Sequence, residues 1–192
     1  MNGRQWIGVL SFLVTCVSTG CVPAAFVAGA SIGLVVYDQR SPKTIAVDKN
    51  IALVVQERLN ADRELRTSGH VTVAMFNGVM LLIGQTPTEE LRGRAEDIAR
   101  QHVGAKLIYN EISIGLPVSD GVRNHDVWIT AKVRSSLMVT HGLNSSTIKV
   151  VTEDGVVYLM GMTTKQQGEI AAAKAQKVSG VKKVVKLFEY IT

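Results

Sequence analysis

Asn77-Gly78-Val79-Met80-Leu81-Leu82-Ile83-Gly84 recurs 77 positions later in the chain, as Asp154-Gly155-Val156-Val157-Tyr158-Leu159-Met160-Gly161. Asn-Gly and Asp-Gly between two β-rich runs favour tight hairpin turns, because both turn residues tolerate positive φ. An alternating segment precedes each turn, at residues 70–76 and 147–152. The repeat therefore predicts two antiparallel hairpins, and with them two copies of one small domain.

Helical patterns lie on both sides of each hairpin. They predict helices over residues 48–61 and 88–102 in the first copy, and over 125–138 and 165–178 in the second. A further β-rich run closes each copy, at residues 106–114 and 181–191. The predicted unit is helix–strand–strand–helix–strand, an α+β fold whose helices pack on one face of a three-stranded sheet.

The N-terminal residues predict an envelope protein. Arg4 is the only charge before an apolar run at residues 6–14, and Ser18, Thr19 and Gly20 then lead up to Cys21. This order is that of a secretory signal peptide. An uncleaved membrane anchor is the alternative, because a long uncharged stretch follows Arg4.

Cys21 and the small residues before it resemble the bacterial lipobox, although Ser18 stands where an aliphatic residue is usual. The resemblance implies a diacylglyceryl lipid on Cys21, with no other cofactor. Because Val22 is not Asp, it also implies the periplasmic face of the outer membrane. The predicted segments are a signal peptide (1–20), a lipidated tether (21–45), domain 1 (46–115), a linker (116–124) and domain 2 (125–192).

Both copies resemble the BON domain. The glycine-flanked hairpins at 78–84 and 155–161 carry the resemblance, together with the helix-to-strand junctions at 103–105 and 178–181. With the lipobox in front, the chain resembles the dual-BON outer-membrane lipoproteins of the DolP type, most closely at residues 126–135. That resemblance implies phospholipid binding and a role in outer-membrane integrity.

The leading helices of the two copies differ on their outward faces. The face of the helix at 48–61 is polar apart from Leu53, whereas that of the helix at 125–138 is mostly apolar and bordered by cations. Such a face suits the headgroup region of an anionic bilayer. We expect it to bind phospholipid through Val127, Trp128, Ala131, Lys132, Arg134, Ser135 and Met138.

Two other roles for this face are open. Val127 and Trp128 can instead pack between the two domains, where an apolar pair would be buried. The same patch can also dock an envelope assembly factor or a protease, which would make the protein an interaction adaptor.

The positive charge belongs mainly to the second copy. The chain carries a net charge of +5, and residues 125–192 hold nine Lys/Arg and five Asp/Glu, whereas residues 46–115 hold eight and nine. Lys182, Lys183 and Lys186 contribute to this excess, which attracts acidic lipid. Nucleic acid is not expected as a partner, because no stacking aromatic residues alternate with the lysines.

Enzyme motifs are not found in a usable context. Residues 29–33 match GxSxG as a string, but they lie in the predicted tether rather than between a strand and a helix. The histidines His70, His102, His125 and His141 fall in unrelated elements without ligand spacing. We therefore expect a non-enzymatic protein with no catalytic residues, no metal and no small-molecule substrate.

Overall fold

The structure, a computed structural model, describes residues 40–191, which form two α+β domains of the same design. The predicted signal peptide, the predicted lipid attachment residue Cys21 and the predicted tether up to residue 39 lie outside the described residues. No helix within the described range combines the length and the hydrophobicity that crossing a membrane requires.

Each domain contains one three-stranded sheet. Domain 1 consists of α1 (Pro42–Ala61), α2 (Arg63–Ser68), β1 (His70–Phe76), β2 (Val79–Thr86), α3 (Glu89–Arg100) and β3 (Leu107–Ile114). Domain 2 consists of α4 (Asp120–Met138), a 3-10 turn (Ser145–Thr147), β4 (Ile148–Glu153), β5 (Val156–Thr163), α5 (Lys165–Gln176) and β6 (Lys183–Tyr190). In both sheets the hairpin strands are antiparallel, and the last strand lies parallel beside the middle one.

Both hairpins turn at the residues that the sequence predicts. The backbone φ is 51° at Asn77 and 80° at Gly78, and it is 46° at Asp154 and 72° at Gly155. Positive φ at both central residues defines a type I′ turn, whose twist matches that of the flanking strands. The two predicted hairpins are therefore confirmed.

Two helices begin earlier than the sequence pattern predicts. α1 starts at Pro42 and α4 at Asp120, because a serine precedes each and caps it. The Ser119 hydroxyl, for example, accepts a hydrogen bond of 3.4 Å from the backbone N–H of Val122. Residues 42–45 and 120–124, assigned from sequence to the tether and the linker, are therefore helical. The short helix α2 is a further element that the pattern does not predict.

One face of each sheet is covered by the helices of its own domain, as predicted. The side chains that α1 and α4 bury there follow the same spacing: Ile51, Val55 and Leu59 in α1, and Ile129, Val133 and Leu137 in α4. They pack with the helix-facing residues of the strands into one hydrophobic cluster per domain. The predicted α+β fold class is confirmed.

The other faces of the two sheets pack against each other. The cluster between them contains Ala74, Phe76, Leu81 and Ile83 from domain 1, with Tyr158, Met160 and Leu187 from domain 2. The layers are therefore helix, sheet, sheet and helix. Because each domain carries its helices on the face away from this interface, α1 and α4 lie on opposite outer sides.

Polar contacts border the interface between the sheets, and two of them involve carboxylates. Asn77 donates a side-chain hydrogen bond of 2.9 Å to the Glu189 carboxylate, and Gln85 donates one of 2.8 Å to the Glu153 carboxylate. Burial raises the pKa of the Glu153 carboxyl, and it also raises the pKa of Tyr158 to about 12. Charged forms of these groups are therefore disfavoured in the interface.

Candidate functional site

In each domain a buried aspartate joins the first helix to the hairpin turn. Asp48 accepts hydrogen bonds from the backbone N–H groups of Asn77 at 2.6 Å and of Gly78 at 3.0 Å. Asp126 accepts the corresponding pair from the second turn, at 2.7 and 2.8 Å. The hydrophobic pattern of the helices does not predict this role, because a single carboxylate in a helix is typically a solvent-exposed charge. The two aspartates align α1 with α4, with Asp48 matching Asp126.

This alignment allows the outward faces of α1 and α4 to be compared position by position. Where α4 carries Val127, Trp128 and Met138, α1 carries Lys49, Asn50 and Asn60. At two other positions α1 is the more apolar helix, because it carries Leu53 and Val54 where α4 carries Ala131 and Lys132. The outward face of α4 therefore holds the largest aromatic side chain and its apolar neighbours, where α1 holds polar groups.

Every residue that the sequence predicts to bind phospholipid is exposed. Val127 and Trp128 each expose 64% of their surface, and Met138 exposes 41%. The remaining four, Ala131, Lys132, Arg134 and Ser135, are exposed as well. Val139, which follows the last helical residue, is 77% exposed and extends the surface. We call these eight residues the α4 patch.

The two cations of the α4 patch are held at opposite edges of the helix by backbone carbonyl groups. Lys132 Nζ donates a hydrogen bond of 2.8 Å to the carbonyl oxygen of Ser179, in the turn between α5 and β6. Arg134 Nη2 donates one of 3.2 Å to the carbonyl oxygen of Val150, in β4. Each cation keeps further N–H donors, so both can still bind an anion.

The alternative that Val127 and Trp128 pack between the domains is wrong. The domains meet through their sheets, and α4 lies on the outer side of domain 2. Trp128, which is 64% exposed, takes no part in the cluster between the sheets. A contiguous exposed apolar surface rimmed by polar groups is typical of an interaction site.

A surface cavity of about 460 Å³ lies elsewhere, between α2 and α3 of domain 1, and is lined by Asp62, Arg63, Glu64, Thr67 and Arg94. Its main cation, Arg94, is held by Glu64 and Glu90, each at 2.9 Å. Within residues 40–191 no three His, Cys, Asp or Glu side chains come together as a metal site requires.

Both halves of the chain match the BON domain, over residues 47–115 and 125–192. The chain belongs to the BON-domain family. This BON-domain protein is 34% identical to the outer membrane lipoprotein DolP of Haemophilus influenzae, over 90% of its own length and 89% of that protein. The resemblance that the sequence indicates is thereby confirmed.

The BON-domain protein has further relatives. It is 35% identical to the 21 kDa hemolysin of Actinobacillus pleuropneumoniae, over 80% of its own length and 79% of that protein. Among solved structures it is similar to CdsD, a structural protein of the type III secretion system of Chlamydia trachomatis, with 14% identity. That match covers 77% of this chain and 63% of the other with a TM-score of 0.30, so it carries no functional argument.

Proposed function

We propose that this BON-domain protein is anchored by a lipid on Cys21 to the periplasmic face of the outer membrane. There it binds anionic phospholipid through the α4 patch and supports outer-membrane integrity. The observation that carries the proposal is the exposure of Trp128 between cations on the outer side of domain 2. The location rests on the similarity to DolP and on the lipobox-like residues before Cys21.

The α4 patch combines apolar side chains, which suit the boundary of the acyl chains, with cations, which suit the anionic headgroups. Val127, Met138 and Val139 offer apolar surface to the acyl boundary, and the Trp128 indole combines an apolar ring with an N–H group that stays hydrated. Lys132 and Arg134 flank them and can each add about 1 kcal/mol at an anionic surface. The patch is therefore suited to the interface of a membrane rather than to its interior.

The lipid on Cys21 would make α4 a second point of attachment. Cys21 lies 19 residues before Arg40, where the described structure begins. A chain of that length spans at most roughly 65 Å when extended. Because such a tether raises the effective concentration of α4 at the bilayer, a weak intrinsic affinity of the patch is sufficient. In this role the protein binds lipid and is not an enzyme.

Vesicle flotation of residues 40–192 tests the lipid contact without the anchor. We expect the unchanged fragment to float with vesicles that contain phosphatidylglycerol or cardiolipin. Trp128→Ala, or Lys132→Glu combined with Arg134→Glu, should abolish flotation, because the first removes the aromatic anchor and the second reverses the attraction to acidic headgroups.

Leu53→Ala in α1 is the matched control, because Leu53 is 53% exposed on the equivalent helix of domain 1. It should leave flotation unchanged, and circular dichroism should show that all variants keep the fold. Flotation that persists in both α4 variants would contradict the lipid contact. Binding to a purified envelope protein that is lost with Trp128→Ala would instead support the adaptor alternative.

A further inference from the structure

The turn between α5 and β6 (residues 177–182) lies directly against α4. Lys132 Nζ is bonded to the Ser179 carbonyl oxygen at 2.8 Å. Gly180 has a φ of 97°, and a Cβ atom there would come within 3.0 Å of His125 Nε2. The turn and the N-terminal half of α4 therefore form one continuous surface.

This surface is cationic. Trp128 follows His125 by three positions and precedes Lys132 by four, so the three side chains share one side of the helix. The turn adds Lys177 and Lys182, both exposed. Among the described residues Lys177 forms no ion pair, and Lys182 pairs only with Asp154, at 2.6 Å on the surface. Such an exposed pair is weak and leaves Lys182 available to other anions.

The other C-terminal lysines point elsewhere. Side chains alternate between the two faces of a strand. Lys183 therefore shares its face of β6 with Val185 and Leu187, which pack between the two sheets. Lys186 is bound at 2.6 Å by Glu169 of α5. The basic excess of domain 2 therefore does not lie wholly beside α4, because Lys183 is on the interface face of β6 and Lys186 is held by α5.

Domain 1 lacks this cationic cluster. Its corresponding turn has Gln101 in place of Lys177 and Val103 in place of Ser179, and only Lys106 matches a lysine of the domain 2 turn. The helix positions that match His125 and Lys132 carry Val47 and Val54. Lys132 and Lys177 therefore have no cationic counterpart in domain 1, whose helix also carries Asn50 in place of the exposed tryptophan.

We infer that the α5–β6 turn of domain 2 is a second membrane-contacting element, which binds the phosphate groups of anionic lipids through Lys177, Lys182 and Lys132. The inference rests on the proposed function of the α4 patch. The carbonyl of Ser179 uses one of the three N–H donors of Lys132, so the ammonium group is positioned and two donors remain for phosphate oxygens. In this arrangement the apolar side chains of α4 insert into the bilayer, and the lysines of the turn make the protein prefer anionic headgroups.

Fluorescence of the acylated protein in vesicles tests the inference, because Trp128 is the only tryptophan after the predicted signal peptide. Quenching of Trp128 by brominated acyl chains reports α4 docking while the fraction of phosphatidylglycerol in phosphatidylcholine is raised. Each turn lysine should contribute about fivefold to docking at low salt. Lys177→Gln combined with Lys182→Gln should therefore weaken docking roughly 25-fold and require more phosphatidylglycerol for half-maximal quenching.

Lys183→Gln combined with Lys106→Gln is the matched control, because it removes the same charge from the interface face of β6 and from domain 1 rather than from the side of α4. The inference requires this variant to dock like the unchanged protein. Lys177→Gln alone breaks no ion pair of the described residues and provides a second test if the double variant is unstable. Unaltered docking of the turn variants, or an equal loss in the control, would overturn the inference and leave the α4 contact intact. Absence of quenching in the unchanged protein would overturn both.

Discussion

At the scale of single residues, two buried carboxylates determine how the helices sit on their sheets. Asp48 and Asp126 each accept two backbone N–H groups at a hairpin turn, where no strand partner exists for those groups. Arg40 supports the first of these sites, because its guanidinium pairs with Asp48 and lies 4.1 Å from the centre of the Phe76 ring. The position of Trp128 follows directly, since it is two residues beyond Asp126 on the same helix.

Asp126→Ala should destabilise the protein by about 3 kcal/mol, because it leaves two backbone N–H groups, one buried and one partly buried, without an acceptor. The free energy of unfolding, measured in urea, checks this value. Asp120→Ala is the control, since the Asp120 side chain is 89% exposed and, within residues 40–191, pairs only with Arg123 on the same helix. It should cost less than about 1 kcal/mol. Equal losses in the two variants would contradict the structural role of Asp126.

At the scale of elements, the middle strand of each sheet is the most deeply buried part of its domain. β2 is buried along almost its whole length, because helices cover one face of its sheet and the second sheet covers the other. A strand buried on both faces reads as a continuous apolar run rather than an alternating one. The run at residues 79–83 and its repeat at 156–160 have this character.

Substitution of Gly84 tests whether β1 and β2 pack as closely as the structure shows. A Cβ atom at Gly84 would lie 1.9 Å from the backbone oxygen of His70, and the φ of 124° is itself unfavourable for other residues. Gly84→Ala should therefore cost more than about 2 kcal/mol in the free energy of unfolding. A Cβ atom at Gly93 in α3 would have no atom of the described residues within 4 Å, so Gly93→Ala should instead stabilise the protein by about 0.5–1 kcal/mol. A neutral Gly84→Ala would contradict the pairing of β1 with β2.

The predictable parts of this fold depend on local chemistry. Asn77-Gly78 and Asp154-Gly155 predict their hairpins because the two central residues of a turn largely decide its type. The spacing of Ile129, Val133 and Leu137 likewise predicts which side of α4 faces water. The packing of one sheet on the other brings together residues far apart in sequence, so the apolar run of β2 indicates burial without naming its partner.

The same distinction applies to the α4 patch. Helical spacing predicts which residues belong to the patch. Whether domain 1 covers the patch depends instead on which faces of the two sheets meet, and the spacing does not predict this. The sequence places Lys182 and Lys183 side by side and treats them alike. Only the strand register separates them, because Lys183 begins β6 and shares its face with the residues of the interface.

At the scale of the whole molecule, the back-to-back sheets place the two leading helices on opposite outer sides. With α4 against a bilayer, α1 faces away from the membrane. The charges agree with this orientation, because it would place the lysine-rich domain 2 toward the acidic surface and domain 1, with eight Lys/Arg against nine Asp/Glu at residues 46–115, farther from it.

The most direct test of the lipid contact is photocrosslinking from position 128 in living cells, with a crosslinker at Asn50, the matching position of α1, as the control. The proposed function predicts adducts with phospholipid from position 128 and none from position 50. A single protein adduct from position 128, without any lipid adduct, would contradict it and show that the α4 patch docks a protein instead.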